Sequence, residues 1–248
     1  MAAAEKAVLI LGGTSDIGRA TALAFAQSQW TVRLAGRSLA DLQREADDIS
    51  VRTGRQVTAH PFDVLDTDSF TVFVNALPDL PDVVISVVGL LGEQPRAETD
   101  LDHAKEILRT NYEGPALILR VFAEQFLGRG YGSIVGVSSV AGDRGRGSNY
   151  FYGSAKAGFS AFLSGLRNRL AINSSIQVMT VKPGFVRTKM AEHRKLPPLI
   201  TATPAEVGEA ILGGLNRRRD VIYVRSIWFF VMLIIRLMPE RIFKRLKL

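Results

Sequence analysis

The chain has no cysteine, which removes disulfide staples, thiolate nucleophiles and Cys-ligated metal centres together. Histidine is scarce as well: His60, His103 and His193 are scattered, with no pair at the helical spacing of a metal site. No metal is expected. The 248 residues contain no internal repeat and no Pro-, Gly- or Ser-rich linker, so one domain is expected. The opening Met1–Lys6 runs straight into Ala7–Leu11, an apolar stretch too short for the core of a signal peptide and without a cleavage site after it. A cytoplasmic location follows on that reading.

Acidic charge is missing from one end. Between Arg217 and Leu248 stand nine Lys/Arg and two Asp/Glu, which equals the whole chain's net charge of +7 and leaves the preceding residues neutral. A neutral body with a basic, apolar end argues against nucleic acid as partner and for an anionic membrane surface.

Short β-branched runs alternate with segments of helical period, the pattern of a parallel sheet covered on both faces. Strands are expected near Ala7–Leu11, Thr31–Ala35, Gln56–His60, Val83–Val88, Ser133–Val137, Ile176–Val181 and Val221–Val224. Helices are expected near Ile17–Gln29, Leu39–Thr53, Ser69–Ala76, Leu101–Phe126, Tyr150–Ala171 and Pro204–Asn216. Seven strands with intervening helices make an α/β, doubly wound, Rossmann-type sheet. Met190–Thr203, with Pro197 and Pro198, has no clean period and reads as a flap over substrate.

The first strand is followed by Gly12-Gly13-Thr14-Ser15-Asp16-Ile17-Gly18, a glycine-bearing turn that opens a helix. Such a turn lets backbone approach a pyrophosphate and presents free helix-terminal N–H groups to it, although a tight turn also needs glycine for its own sake. Nineteen residues beyond Gly18 the second strand ends in Arg37-Ser38. An acid there would hold the ribose of NAD, whereas Arg suits the 2′-phosphate of NADP(H), so NADP(H) is favoured and NAD(H) stays open. Asp63 and Val64, just after the third strand, are expected beside the adenine.

Tyr152 and Lys156 stand four residues apart, on one face of a helix. A free phenol has a pKa of ~10, and a neighbouring ammonium favours its ionised form. Ser139, thirteen residues earlier at the end of a strand, can hold a substrate oxygen where Tyr152 reaches it. Asn111 falls inside a long helical segment, where its propensity is poor, and so reads as functional.

Taken together, the Gly12–Gly18 turn, Asn111, Ser139, Tyr152 with Lys156, and Pro183-Gly184 followed by Thr188 resemble the short-chain dehydrogenase/reductase superfamily. The resemblance implies a Tyr152 acid/base and a Lys156 that lowers its pKa and binds the nicotinamide ribose. It also implies a Ser139 that orients the carbonyl and an Asn111 that supports a proton-relay water. Tyr152, Lys156 and Asn111 would thus also border the cofactor, along with Gly89, Pro183, Gly184 and Val186, and Thr188 would contact the carboxamide. Two departures stand out: Asp16 replaces the usual middle glycine, and Ser86-Val87-Val88-Gly89 replaces the common Asn-Asn-Ala-Gly.

These departures, with Gly142-Asp143-Arg144, Val186–Met190 and the ending Pro239–Lys244, resemble one subgroup, the decaprenylphosphoryl-2-keto-ribose reductases. That resemblance implies a lipid-linked sugar substrate, a flavin-dependent oxidase as partner, a homo-oligomer and a role in cell-wall sugar epimerisation. An acyl, steroid or other small apolar carbonyl is the alternative substrate, and a cofactor-sensing, membrane-associated binding protein the non-enzymatic one.

The segment 225–248 is expected as a helical extension of a body spanning 1–224. Ile227–Ile235 is apolar without interruption, but a helix from Ile227 to Met238 reaches only about 18 Å, short of a ~30 Å hydrocarbon core. It would lie on a membrane's inner face, with Arg225 and Arg236 emerging on one side toward headgroups, or complete the pocket or an interface.

Overall fold

A strand covered on both faces must be apolar at every position, and β1 (Ala7–Leu11) is buried throughout. In the computed structural model, which describes residues 5–171, 175–191 and 197–246, six more parallel strands flank it. They are β2 (Thr31–Gly36), β3 (Val57–Pro61), β4 (Val83–Ser86), β5 (Tyr131–Val137), β6 (Ser175–Pro183) and β9 (Val221–Val224). The order is β3-β2-β1-β4-β5-β6-β9, so the direction of winding reverses between β1 and β4. In register, Leu11 faces Ala35 on one side and Ser86 on the other. A separate two-stranded piece pairs β7 (Phe185–Val186) with β8 (Thr201–Ala202), and neither strand was expected.

The period of two divides the core. Val8, Ile10, Val32 and Leu34 pack with Ala22 and Phe25 of α1 (Asp16–Gln27), Leu42 of α2 (Leu39–Thr53) and Ile211 of α8 (Pro204–Asn216). Leu9, Leu11 and Ala35 face the other layer. There they meet Phe70 of α3 (Phe70–Asn75), Phe122 and Phe126 of α6 (Gly114–Arg129), and Phe159 and Leu163 of α7 (Tyr150–Ala171).

The helix expected over Leu101–Phe126 is present, runs on to Arg129 and carries an unforeseen π-helical turn. A short helix α4 (Gln94–Ala97) precedes α5 (Leu101–Leu108), a π-helical turn spans Arg109–Glu113, and α6 follows. The Asn111 carboxamide takes the Ile107 carbonyl four residues back at 2.8 Å, which diverts the ordinary ladder. Gly114 lets the resumed helix pass under Val64, whose carbonyl oxygen would lie 2.1 Å from an added Cβ.

The tail is docked on the body. Helix α9 (Ile227–Leu237) buries Trp228 and Met232 against Val140, Phe185, Ile200 and Tyr223, and α10 (Glu240–Phe243) buries Phe243. Trp228 Nε1 donates to the Ile200 carbonyl at 2.9 Å. Arg144 seals the helix end, donating to the Ile235 and Met238 carbonyls, pairing with Glu240 and lying 3.8 Å from the Phe243 ring centroid. The outer face is bare: Phe230, Ile234 and Leu237 are 61%, 65% and 75% exposed. Among the described residues no helix is long and apolar enough to cross a membrane.

Arg225 departs from its expected place on the helix face. It precedes α9, has φ +41°, pairs with Glu206 at 3.1 Å and donates to the Pro198 and Leu199 carbonyls. Its guanidinium ties the end of the expected flap to α8, so it is not a headgroup ligand. Of that flap, residues 192–196 lie outside the described residues, and Pro198–Ile200 form a turn leading into β8.

Candidate active site

The reversal between β1 and β4 leaves a crevice at the carboxyl ends of the strands, where an open α/β sheet receives its ligand. Two adjoining pockets occupy it, sharing Val87, Val88 and Gly89 as their common wall. One is lined by Gly12, Thr14, Ser15, Arg37, Asp63 and Val64. The other is lined by Ile17, Ser139, Tyr152, Lys156 and Thr188, with Pro183, Gly184 and Val186 behind them. The residues expected from sequence therefore converge, except for four that hold structure outside the lining.

Those four are Asp16, Gly18, Ser38 and Asn111. Gly18 packs so closely under the turn that a Cβ would lie 2.3 Å from the Gly12 carbonyl oxygen. Ser38 was expected to bind phosphate with Arg37. Its hydroxyl oxygen caps α2 by accepting from Asp41 N at 3.3 Å, the usual task of Ser before a helix. Asn111 was expected to support a relay water. Its Nδ2 donates to the Leu90 and Ile107 carbonyls, and its Oδ1 accepts from Leu90 N at 3.2 Å. The side chain is thus a strut that holds the Gly89–Leu90 turn against the π-helical segment. Asp16 Oδ2 accepts from Lys189 N at 2.7 Å and joins the glycine-bearing turn to the far rim.

The first pocket fits a dinucleotide. Gly12 has φ +91°, and an added Cβ would meet Val87 and Val88 at 3.2 Å, so only glycine leaves the floor open there. Ser15 shapes the turn by donating to the Gly12 carbonyl at 2.8 Å and accepting from Gly18 N at 3.0 Å. Above it, the N-terminus of α1 supplies partial positive charge for an anion. Arg37 stands exposed at the rim; Asp41, the carboxylate that could have neutralised it, pairs instead with Arg44. Asp63 Oδ1 accepts from Leu65 N at 2.9 Å and fixes the turn after β3.

In the second pocket Ser139 stands two residues beyond the end of β5 and its Oγ accepts from Ala141 N at 3.1 Å. One turn apart on α7, Tyr152 and Lys156 face the same wall. Lys156 is 3% exposed, and its Nζ donates to the Val137 and Val88 carbonyls at 3.1 and 3.3 Å. Burial pushes the ammonium down to about 7. The ring centroid of Tyr152 lies 5.8 Å from that nitrogen. Gly142 lets the Ser139 turn press against α7, since a Cβ there would sit 2.7 Å from Ala157 N. Gly184 does the same for the tail, because a Cβ would collide with the Trp228 ring at 1.9 Å. Arg146 and Asn149 also line this pocket, and no sequence signal had marked them.

The short chain dehydrogenase family model matches residues 6–197. The chain belongs to that family. It is an NAD(P)-dependent oxidoreductase that reduces carbonyl compounds. An uncharacterized oxidoreductase of Streptomyces coelicolor is 34% identical, over 97% of this chain and 96% of its own length. An NADP-dependent 3-hydroxy acid dehydrogenase of Schizosaccharomyces pombe is 28% identical, over 90% and 92%. Among solved structures, a 3-oxoacyl-[acyl-carrier protein] reductase from Brucella melitensis with bound NAD is 26% identical, with a TM-score of 0.79 and coverage of 90% of each chain.

The burial of Lys156 sets a pH dependence. Between about 7 and 10.5 the unfolded chain keeps the lysine proton and the folded chain sheds it, so this group makes stability rise with pH across that window. Lys156→Met is therefore expected to gain most over wild type near neutral pH and to lose the advantage toward pH ~10. Thermal melts of both proteins across that range check this, and parallel profiles would place the amine in a better solvated setting.

Proposed function

We propose that this oxidoreductase prefers NADPH and reduces the 2-keto group of a polyprenyl-phosphoryl pentose while resting on the cytoplasmic face of a membrane. The observation that carries the catalytic part is the meeting of Ser139, Tyr152 and Lys156 in the pocket that also holds Thr188. A bound nicotinamide supplies the hydride. Tyr152 then gives its phenolic proton to the carbonyl oxygen, and the Ser139 hydroxyl holds that oxygen in place. Lys156, one turn on, would lower the pKa of the Tyr152 phenol and hold the nicotinamide ribose. Gly12, Thr14, Ser15 and Ile17 would hold the diphosphate, Asp63 and Val64 would border the adenine, and Thr188 would take the carboxamide.

The substrate part is supported by the tail. Helix α9 forms one wall behind Gly184 while turning Phe230, Ile234 and Leu237 outward, with Arg236, Arg241 and Lys244 close by in sequence. An apolar strip with basic neighbours suits an anionic lipid surface, and the same surface would present a lipid-linked substrate. A flavin-dependent oxidase would supply the ketone, and a homo-oligomer is the expected assembly. A second reading is favoured by the Schizosaccharomyces relative, whose name makes it a 3-hydroxy acid dehydrogenase. On that reading the substrate is a small oxo acid.

Tyr152→Phe removes the hydroxyl and keeps the ring. It is expected to lower single-turnover reduction by about a thousandfold or more while cofactor binding persists. Near-wild-type turnover would remove Tyr152 from proton transfer.

Arg37→Ala is expected to weaken NADPH binding by about tenfold or more and to leave NADH binding little changed, because only NADPH carries the 2′-phosphate. Titration of the cofactor-free protein with each nucleotide reads this directly; equal losses for both would sink the NADPH preference.

Flotation with anionic vesicles tests the membrane contact without removing the tail. Phe230→Glu with Ile234→Glu alters only the exposed face, so the fold is expected to persist while flotation is lost. Wild-type flotation should weaken as salt rises. A wild-type protein that fails to float at low salt would refute the contact.

A further inference from the structure

Asp16 stands where the family's usual turn has a glycine, and neither pocket counts it among its lining. It is the first residue of α1, at the helix end whose partial positive charge would meet the diphosphate of a cofactor. A carboxylate placed there opposes the arriving anion, because like charges repel at close range. A residue that works against its own site in this way is kept for what else it does.

Its partner shows what that is. Asp16 Oδ2 accepts from Lys189 N at 2.7 Å, a charge-assisted bond between residues 173 positions apart. The neighbours of both residues line the Tyr152 pocket, since Ile17 follows Asp16 and Thr188 precedes Lys189. On the outer side, Thr14 and Lys189 border one common groove. The bond therefore closes the rim where the glycine-bearing turn faces Thr188. Thr188 is held from both sides: Arg187 N donates to the Ala202 carbonyl of β8 at 2.9 Å, and Lys189 N donates to Asp16. Beyond it the chain enters the short 3-10 turn Lys189–Ala191.

Resting on the cofactor placement given above, we propose that Asp16 is a positioning residue that clasps the Thr188 segment to the glycine-bearing turn and slows the departure of the cofactor. It touches no reacting atom and acts through Thr188. A dinucleotide that reaches from the Gly12–Ser15 turn to Thr188 has the clasp beside the junction of its diphosphate and nicotinamide halves. The carboxylate thus has two opposed effects. Its charge hinders the arriving diphosphate, and its bond hinders the departing cofactor.

Stopped-flow separates the two effects without a substrate. It follows the fluorescence of NADPH, and of NADH in parallel, on binding to the full chain and on release when excess oxidised nucleotide is added. Asp16→Ala removes charge and bond together, so association is expected to be as fast as in wild type or faster, while release quickens about fivefold or more. Asp16→Asn removes the charge but leaves an acceptor in place, and its release is expected to stay within about twofold of wild type. Lys189→Pro removes the amide hydrogen from the other side, at the first position of a helical turn, where proline is tolerated. Its release should quicken like that of Asp16→Ala, and the double variant should be no faster than either alone. Wild-type release from Asp16→Ala would overturn the clasp, as would equal acceleration in Asp16→Asn or multiplied effects in the double variant. Slower association in Asp16→Ala, the mark of a turn that has lost its shape, would overturn it too. Wild-type protein that binds neither nucleotide would overturn the cofactor placement, and the clasp with it.

Discussion

The central strands of this sheet are covered by helices on both faces, and the position of the site follows from that burial. Main-chain groups within those strands bond to their neighbours, and most side chains above and below them are apolar. Polar groups that are to meet a ligand therefore gather where the strands end. Because the winding reverses between β1 and β4, two loops diverge there and leave a crevice. The glycine-bearing turn after β1, the Val87–Gly89 segment after β4 and Ser139 after β5 all meet at that one edge.

Within the crevice, several polar side chains serve to hold backbone in place. Asn111 grips the main chain of Leu90 and Ile107, Ser38 caps α2, and Asp16 reaches the Lys189 amide. Each takes up a backbone group that a tight turn or a helix end would otherwise leave unmatched. Ser139, Tyr152, Lys156, Asn149 and Arg146 line the pocket beside them. Lys156 stands between the two groups, since its Nζ braces the Val88 and Val137 carbonyls from inside the site.

The tail shares in the same construction. Trp228 fills the space that Gly184 leaves empty, and its indole N–H holds the Ile200 carbonyl. Asp143 accepts from Lys182 and from Tyr223, whose hydroxyl burial and that carboxylate push up to about 12, while the adjacent Arg144 closes the end of α9. The turn that carries Ser139 is therefore anchored to the tail through its own next few residues. Of the alternatives open to the extension, docking on the body behind the pocket residues Gly184 and Phe185 is the one the described residues display.

Much of this was legible from residue order alone. β-Branched runs marked all seven main strands, because period and burial act within a few residues, and the spacing of Tyr152, Lys156 and Ser139 marked the proton-transfer end. Local pattern failed where a distant partner decided the outcome. Val87 and Val88 look like strand but line the groove, because β4 ends at Ser86. The helix expected through Asn111 is there, but the π-helical turn within it, where Asn111 donates to the Ile107 carbonyl and reaches Leu90 twenty-one positions away, was not foreseen. Arg225 turned from a supposed membrane face to Glu206. Arg146 and Asn149 carry no spacing signal, since their place beside Tyr152 depends on how a loop folds back over α7. Sequence by itself determined the sheet and the glycine-bearing turn, because each rests on short-range periodicity or on a glycine's backbone freedom, and it marked Tyr152 as the proposed proton donor. Only the tertiary structure decided which polar groups remain for a ligand, because a side chain's hydrogen-bonding capacity is finite and long-range contacts claim it first.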